Sequence, residues 1–253
     1  MEKNTVRRVL FADLKDFCRQ AYMKAGVPAA EAEIVADFLV RSDLRGIETH
    51  GVTRLPIYIL RLQKGYVRKE CKLTAVKDKS PVAFLEAHGS MGHIAAYRSI
   101  EKAIAKAEEY GIGWVSVRDS SHFGVAGLFP MMALQKDFIG YVISNSAPMM
   151  FPWGGRERII GNNPLAYAIP ADRYPPIVLD FSLSVVSSGK LILTRKRGRK
   201  SPWVGPLAKT VCPPMTPMKG TKEEDPWRRW EAIRAMEWYW SMRCLPLSSP
   251  VAN

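Results

Sequence analysis

The segment around His50 carries two side chains that suit chemistry on a small 2-oxo acid. His50 and Arg54 are four residues apart, so in a helix that begins near His50 they lie on one face. A guanidinium can bind a carboxylate through two parallel hydrogen bonds, while an imidazole exchanges a proton with the neighbouring oxygen. A solvated helix face or a capping arrangement is the commoner origin of such a pair, and the spacing alone leaves all three interpretations open.

A second histidine, His122, lies in a polar segment over 118–124, directly after a strand predicted at 114–117. Ligand contacts in α/β proteins cluster at strand ends, which favours a role in binding or catalysis. A single histidine in such a loop is more often structural, and that alternative stays open. The other two histidines, His88 and His93, do not lie in a polar segment of this kind and are predicted to be structural.

Asparagine, glycine and proline recur between residues 144 and 190 and form turn signals at 145–148, 153–155 and 161–164. No Gly-x-Gly-x-x-Gly motif follows a predicted strand, so a Rossmann dinucleotide site is not supported. Each glycine taken singly is more typical of a turn than of a cofactor site.

Hydrophobic periodicity predicts the elements that must position these residues. Helical spacing of apolar residues is found over 11–25, 30–44, 52–62 and 92–110. Short β-branched runs predict strands at 114–117, 139–143, 165–169 and 177–179. The alternation indicates an α/β protein. We expect an N-terminal helical unit over 1–70, an α/β body over 71–199 and a tail of different character over 200–253.

Charge and cysteine content bear on partners and location. A net charge of +13 is typical of proteins that bind nucleic acid. However, +8 of it falls on residues 190–253 and only +5 on residues 1–189, which weakens that interpretation for the body of the chain. The four cysteines form no Cys-x-x-Cys pair, and the chain shows neither a long apolar run nor a signal region. We therefore expect a cytoplasmic protein without a metal site or a membrane span.

Five motifs occur in a fixed order. They are Asp-Leu-Arg-Gly-Ile-Glu-Thr-His-Gly-Val-Thr-Arg-Leu-Pro at 43–56, Ser-Ser-His-Phe-Gly at 120–124, Pro-Trp-Gly-Gly-Arg at 152–156, Gly-Asn-Asn-Pro at 161–164 and Leu-Asp-Phe-Ser-Leu-Ser at 179–184. The ordered set resembles the malate/L-lactate dehydrogenase-like family, whose fold is not Rossmann. That family includes ureidoglycolate dehydrogenase, 2,3-diketogulonate reductase, sulfolactate dehydrogenase and piperideine-2-carboxylate reductase.

The resemblance implies a homodimer that uses NAD or NADP, bound by a mixed-sheet body, to interconvert a small malate- or lactate-like 2-hydroxy acid and its 2-oxo acid. It implies His50 as proton donor and Arg54 as carboxylate clamp, with His122 competing for the acid/base role. Asp180 would orient a histidine or the nicotinamide. The other implied contacts are Thr49 and Asn163 to the substrate, and Ser146, Pro148, Tyr174, Asp180, Phe181 and Ser182 to the cofactor.

Two positions depart from the family pattern within these motifs. Thr49 stands where the family has Ser before the histidine, and Ser121 stands where it has Asn. Both replacements keep a side chain that forms hydrogen bonds, although Ser121 is shorter and lacks the amide donor.

The tail departs from the family pattern altogether. Residues 201–253 hold five of the seven tryptophans and eight of the eighteen prolines. Back-translated and read two nucleotides later, 213–220 becomes compatible with the family-like Thr-Asp-Asp-Pro-Tyr-Glu-Gly, and 230–240 with Gly-Gly-His-Ser-Gly-Tyr-Gly-Met-Val-Leu. We infer a frameshift near 198–200, which would leave the body incomplete and the tail disordered. Sequencing the locus tests this inference, and an early stop codon in the shifted frame contradicts it.

Two other functions fit parts of the chain. One is a folded remnant of the family, a pseudoenzyme that keeps the dimer surface without turnover. The other is a nucleic-acid-binding protein that uses the basic run at 195–200 and the tail tryptophans. Because a frameshift accounts for the basic run and the tryptophans without selection, nucleic acid is the less favoured partner.

Overall fold

The computed structural model describes residues 8–153, 156–184 and 190, together with two short strands in the tail. The described ranges include the α-helices α1 (Phe11–Lys24), α2 (Ala29–Leu44), α3 (Leu55–Gln63) and α4 (Gly92–Tyr110). These match the predicted helices to within a few residues at each end. The motif glycines at 154 and 155, the segment 185–189 and most of the predicted tail lie outside the described residues.

The N-terminal helices form because each has one apolar face to bury. α1 packs on α2. Cys18 and Tyr22 of α1 and Val35 and Leu39 of α2 belong to one hydrophobic core, and all four are fully buried. The turn between the helices uses Gly26 at φ 91°, a left-handed conformation that glycine adopts without steric cost. This helical pair forms the support from which the loop of His50 departs.

A mixed three-stranded sheet follows, built from β1 (Thr74–Lys79), β2 (Val82–Ser90) and β3 (Trp114–Ser120). β1 and β2 are antiparallel, whereas β2 and β3 are parallel and are joined by α4, which packs on them. A parallel pair needs such a crossover because a short turn cannot return the chain to the same end of the sheet. The carboxyl end of β3 leads directly to His122.

The second sheet is antiparallel and contains β4 (Phe138–Ile143), β5 (Leu165–Ile169) and β6 (Ile177–Phe181). Two 3₁₀ segments, Ala126–Leu128 and Pro130–Lys136, connect β3 to it. In the tail, β7 (Ser241–Met242) and β8 (Leu245–Pro246) pair with β4. The rest of 200–253 lies outside the described residues, so its disorder and the proposed frameshift stay predictions.

The predicted α/β class with a mixed sheet is confirmed, and several boundaries are corrected. β1 and β2 were not predicted, because β1 is polar and exposed and the inward residues of β2 include the small Ala83 and Ala87. β3 runs to Ser120 and β6 to Phe181, so both include residues expected in loops. Within the described part of the chain, no helix is both long enough and apolar enough to cross a bilayer.

Candidate active site

His50 is held in a loop that a distant carboxylate fixes. Asp43, near the end of α2, accepts a hydrogen bond of 2.8 Å from the backbone N–H of Val52, where a 3₁₀ turn begins. A Cβ atom on Gly51 would lie 1.9 Å from the Asp43 carboxylate, so only glycine allows this approach. A helical segment does begin near His50, though not at it: His50 precedes the 3₁₀ turn Val52–Arg54, which leads into α3.

Arg54 and Thr49 fix the orientation of this loop from its two ends. The Arg54 guanidinium donates from Nε to the backbone carbonyl of Thr49 across 2.6 Å. Its two Nη nitrogens carry the remaining N–H groups of the guanidinium. The Thr49 hydroxyl lies 2.8 Å from Nδ1 of His50. Because a hydroxyl can donate or accept, both neutral tautomers of His50 are compatible with this contact.

His122 is brought to His50 by the segment after β3. Ser121 accepts a hydrogen bond of 3.0 Å from the backbone N–H of Gly92, which ties this segment to the first turn of α4. The two imidazole rings stack with their centroids 5.5 Å apart and their planes at 15°. The two histidines that the sequence nominated separately therefore form one pair.

Two groups meet Nδ1 of His122. The backbone N–H of Gly124 donates to it across 3.2 Å, and the Tyr58 hydroxyl lies 2.7 Å from it. Because a backbone N–H can only donate, Nδ1 must be the acceptor, and the hydrogen of the neutral ring lies on Nε2. His122 thus has one defined tautomer, whereas His50 has two.

Both imidazoles are held in the neutral form. Burial, with a smaller effect from the positive charge of Arg54, lowers the pKa of His50 to about 4. Burial also lowers the pKa of His122 well below its usual value. The neighbouring titratable ring of His50 and the positive charge of Arg54 act in the same direction. Burial disfavours a cation because the protein interior solvates charge poorly.

Sequence reasoning missed Tyr58, although a signal for it was present. Tyr58 follows Arg54 by four residues, so the two side chains share one face where the 3₁₀ turn passes into α3. The ring is buried, and burial raises the pKa of its hydroxyl to about 12, so the hydroxyl keeps its hydrogen. Tyr58 therefore faces Nδ1 of His122 as a neutral phenol.

His93 lies behind this pair and is only 1% exposed. Its ring packs edge-on against Tyr58 with centroids 5.3 Å apart, and neither ring nitrogen has a hydrogen-bond partner among the described residues. Burial lowers its pKa to about 3, with a smaller contribution from His50. A Cβ atom on Gly124 would lie 2.6 Å from Nε2 of His93, so the loop passes directly over this ring.

Ser146, predicted to touch the cofactor, is part of a polar cluster at the junction of β4 and β5. Its hydroxyl donates to the Asn162 side chain across 2.5 Å, and its backbone N–H donates to the Asn163 side chain across 3.0 Å. A Cβ atom on Gly161 would clash with Ser146, which explains the glycine of the Gly-Asn-Asn-Pro motif. Pro148 follows on the same segment, whose next residues bond to Ile160.

Three more predicted residues, Asp180, Phe181 and Ser182, lie at the end of β6 and just after it. The chain that follows them reaches this cluster, since the backbone N–H of Leu183 donates to the carbonyl of Asn162 across 2.8 Å. Asp180 accepts a 2.8 Å hydrogen bond from Gly127. Although the residue is exposed overall, its carboxylate lies against Gly127, and burial there raises its pKa. Ser182 lies 3.1 Å from Ser184 through their hydroxyls. Tyr174 is separate, in the exposed segment before β6.

The groups around β6 fit a nicotinamide nucleotide. Phe181 and Leu179 are strand residues with 42% and 49% of their surface exposed. Phe181 pairs with Leu165, which follows Asn163 by two residues. The nicotinamide ring needs an apolar surface to pack on, and the carboxamide attached to that ring needs hydrogen-bonding groups beside it. Among the described residues, no group of three or more His, Cys, Asp or Glu side chains could hold a metal ion.

Comparison with known proteins assigns the chain to a family. A family model described as malate/L-lactate dehydrogenase matches residues 9–208. The chain belongs to this family. Malate dehydrogenase from Pyrococcus horikoshii is 41% identical over 189 residues, which are 75% of this chain and 52% of that protein. The family resemblance predicted from five motifs is thus confirmed.

Other members of the malate/L-lactate dehydrogenase family extend the comparison. (2R)-3-Sulfolactate dehydrogenase (NADP(+)) from Chromohalobacter salexigens is 33% identical over 196 residues, covering 78% of this chain and 59% of that protein. The solved structure of malate dehydrogenase from Pyrococcus horikoshii OT3 superposes with a TM-score of 0.72 at 40% identity, covering 75% of this chain and 54% of that one. The chain spans about half the length of these relatives.

Proposed function

We propose that this protein is an NAD(P)-dependent oxidoreductase that interconverts a small malate- or lactate-like 2-hydroxy acid and its 2-oxo acid. The observation that carries the proposal is the stacked pair of neutral imidazoles, His50 and His122, beside the Arg54 guanidinium. An acid/base group and a carboxylate-binding cation are what the protein must supply for this reaction. Family membership supports the same reaction class.

Arg54 binds the substrate carboxylate in this proposal. One edge of its guanidinium is held by the Thr49 carbonyl, which leaves the planar fork oriented before the substrate arrives. Such preorganisation matters because it places the reacting carbon beside the histidines without further ordering of the side chain. Thr49 and Asn163 are proposed to line the substrate site. The main role of Thr49 there is to hold His50 in position.

His50 exchanges the proton with the substrate oxygen. Its Nδ1 faces a Thr49 hydroxyl that can act as donor or acceptor, so Nε2 can hold or release a hydrogen. His122 is different, because its Nδ1 is already an acceptor and its Nε2 hydrogen is fixed. His122 therefore donates a hydrogen bond to the same oxygen and stabilises the charge that develops there. Asp180 positions the segment of His122 through Gly127.

The cofactor supplies the hydride acceptor or donor when it is bound. The proposal includes both NAD and NADP as candidate cofactors. Ser146, Pro148, Phe181 and Ser182 would hold its nicotinamide end, with Tyr174 farther away. A relative named for its use of NADP supports a nicotinamide cofactor. A homodimer in the cytoplasm belongs to the same proposal, and light scattering of the purified chain tests the oligomeric state.

Turnover tests the proposal directly. The purified full chain is mixed with NADH or NADPH and with oxaloacetate, pyruvate or sulfopyruvate, and the absorbance of the reduced nicotinamide is followed. His50→Ala should lower kcat/KM about 100-fold or more, the usual contribution of general acid/base catalysis. His88→Asn is the matched control, because His88 bonds to Thr74 away from the site and Asn tolerates its positive φ.

The outcomes separate the candidate functions. An active His50→Ala variant contradicts the assignment of the proton donor. A chain that binds NADH and an acid without turnover supports the folded-remnant alternative instead. Salt-dependent binding of labelled RNA or DNA by the purified chain would favour the nucleic-acid alternative.

A further inference from the structure

The parallel strands β2 and β3 lose their regular pairing at the same level. Between the pairs Glu86–Arg118 and Ser90–Ser120, β2 contains three residues, 87–89, where β3 contains one. Extra residues of this kind form a bulge, which bends its strand, and bulges are over-represented beside functional sites. This bulge is a feature of the fold that the proposed reaction does not use.

The backbone is left-handed at this level in both strands. His88 and Asp119 have φ values of 50° and 54°, and Gly89 has a φ of 73°. Residues other than glycine adopt this conformation at a cost in free energy, because the Cβ atom crowds the backbone. Two such residues on adjacent strands are typical of a functional site, where the surrounding structure holds a strained backbone in place.

A cleft of about 290 Å³ opens beside the bulge. It is lined by Arg68, which lies in the segment between α3 and β1, and by Asp119 of β3. The described residues that line it do not include His50, Arg54 or His122. The cleft is therefore separate from the candidate active site, and its size suits a small ligand.

The bulge holds Arg68 in place. The backbone N–H of Arg68 donates to the Gly89 carbonyl across 3.0 Å, and its Nε donates to the His88 carbonyl across 2.6 Å. Its two Nη nitrogens have no hydrogen-bond or ion-pair partner among the residues that the structure describes. The guanidinium is thus oriented in advance and keeps its Nη groups for an acceptor.

Asp119 supplies the opposite charge to the same cleft. Its carboxylate has no hydrogen-bond or ion-pair partner within the described part of the chain, so it does not pair with Arg68. A ligand with a negative charge alone is attracted by the guanidinium and repelled by the carboxylate, and the reverse holds for a cation. A small molecule that carries both charges is attracted by both groups.

We propose that this cleft is a second ligand site, which binds a small zwitterion of the α-amino acid type. Arg68 donates hydrogen bonds to the carboxylate of the ligand, and Asp119 accepts them from its ammonium group. Asp119 disfavours a phosphate or a dicarboxylic acid in the same place. The assignment does not rest on the proposed function, because it uses none of the residues of that reaction.

Titration of the isotope-labelled full chain with L-alanine tests the assignment, and the backbone amide NMR signals of Gly89 and Asp119 are the readout. Isobutyrate and isopropylamine are matched probes, since each replaces one charged group of L-alanine by a methyl group. L-Alanine should shift both signals until the site is saturated. Each singly charged probe should bind about 10-fold more weakly or worse, because one charge-assisted contact is lost.

Variants that remove one charge locate the site. Arg68→Gln and Asp119→Asn should each weaken L-alanine binding about 10-fold or more. Asn adopts a left-handed backbone more readily than most residues, so Asp119→Asn keeps the strand geometry. Lys69→Gln and Glu70→Gln are the matched controls, because each removes a charge from an exposed position next to Arg68 and should leave the affinity unchanged.

Four results overturn the assignment. One is the absence of a saturable shift of the Gly89 and Asp119 signals with L-alanine. Equal binding of isobutyrate, or tighter binding of inorganic phosphate, reveals a plain anion site instead. Loss of L-alanine binding in Arg54→Gln, with no loss in Arg68→Gln, places the ligand in the active site. A chain that binds L-alanine in this cleft but shows no turnover supports the assignment and contradicts only the proposed function.

Discussion

At the scale of single residues, the site depends on how two like side chains acquire different roles. His50 and His122 are stacked and both are neutral, yet their Nδ1 atoms meet different groups. A backbone N–H fixes the tautomer of His122, whereas the rotatable hydroxyl beside His50 is compatible with either of its neutral tautomers. In the proposed reaction, one neighbouring group therefore distinguishes the imidazole that exchanges a proton from the one that only donates a hydrogen bond.

The pKa of His50 predicts opposite pH profiles for the two directions of the reaction. In the proposed reaction, oxidation of the hydroxy acid needs neutral His50 as the proton acceptor, so kcat/KM should be constant above pH 5 or so and fall as pH drops through about 4. Reduction needs protonated His50, so its kcat/KM should decline as pH rises above the same value. Steady-state kinetics from pH 3.5 to 8, roughly, measure both profiles.

His50→Asn supplies the control for these profiles. Its residual activity should lose the inflection near pH 4, because the titrating group is gone while a polar side chain remains. An inflection that persists in this variant would assign the titration to another residue.

At the scale of elements, the loop of His50 depends on a contact between α2 and the turn before α3. The Asp43 carboxylate takes the place of a local N-cap and bonds to Val52 from nine residues away. Gly51 makes the approach possible because it has no Cβ. The family motif 43–56 is thus one structural unit: its first residue caps the turn that presents Arg54.

Asp43→Ala should destabilise the protein by about 1 kcal/mol, the usual cost of losing a helix cap. Gly51→Ala should cost more than this, because the added Cβ displaces the Asp43 carboxylate and the His50 loop with it. Urea unfolding measures both variants. Asp43→Asn is the conservative control, since its amide oxygen can still accept the hydrogen bond. Equal stability of all three variants would contradict this account of the loop.

At the scale of the whole molecule, clustering the buried His93 with the partly buried His50 and His122 makes folding sensitive to acid. His50, His93 and His122 all have pKa values below the usual 6.5 or so of an unfolded chain. Between that value and the folded pKa, the unfolded state binds more protons than the folded state, so stability rises with pH. The contribution of these three groups to stability is therefore complete above pH 6.5 or thereabouts and is lost on acidification.

His93 should account for a measurable part of that loss. It is 1% exposed, with a pKa of about 3, so it contributes a slope of up to about 1.4 kcal/mol per pH unit between pH 3 and 6.5. His93→Leu should flatten the dependence of the unfolding free energy on pH by that amount. Denaturation at several pH values measures the slope. An unchanged slope would show that His93 is already protonated in the folded state.

The sequence by itself determined the helices, most of the second sheet and the family. Strong apolar periodicity identified α4 from Gly92 to Tyr110 because a long amphipathic pattern has few alternatives. Five ordered motifs indicated the malate/L-lactate dehydrogenase family, and they named His50, Arg54 and His122 as candidates. β1 was missed, because an exposed polar strand has no apolar alternation to detect.

Only the tertiary structure decided how these residues act together. His50 and His122 are 72 positions apart, and their stacking depends on how α2, α3 and β3 pack. Tyr58 was signalled only by its spacing from Arg54, and His93 by nothing; the fold places Tyr58 against His122 and His93 against Gly124. Local sequence patterns encode local hydrogen bonding and burial, whereas pKa values and tautomers depend on groups that folding brings from distant parts of the chain.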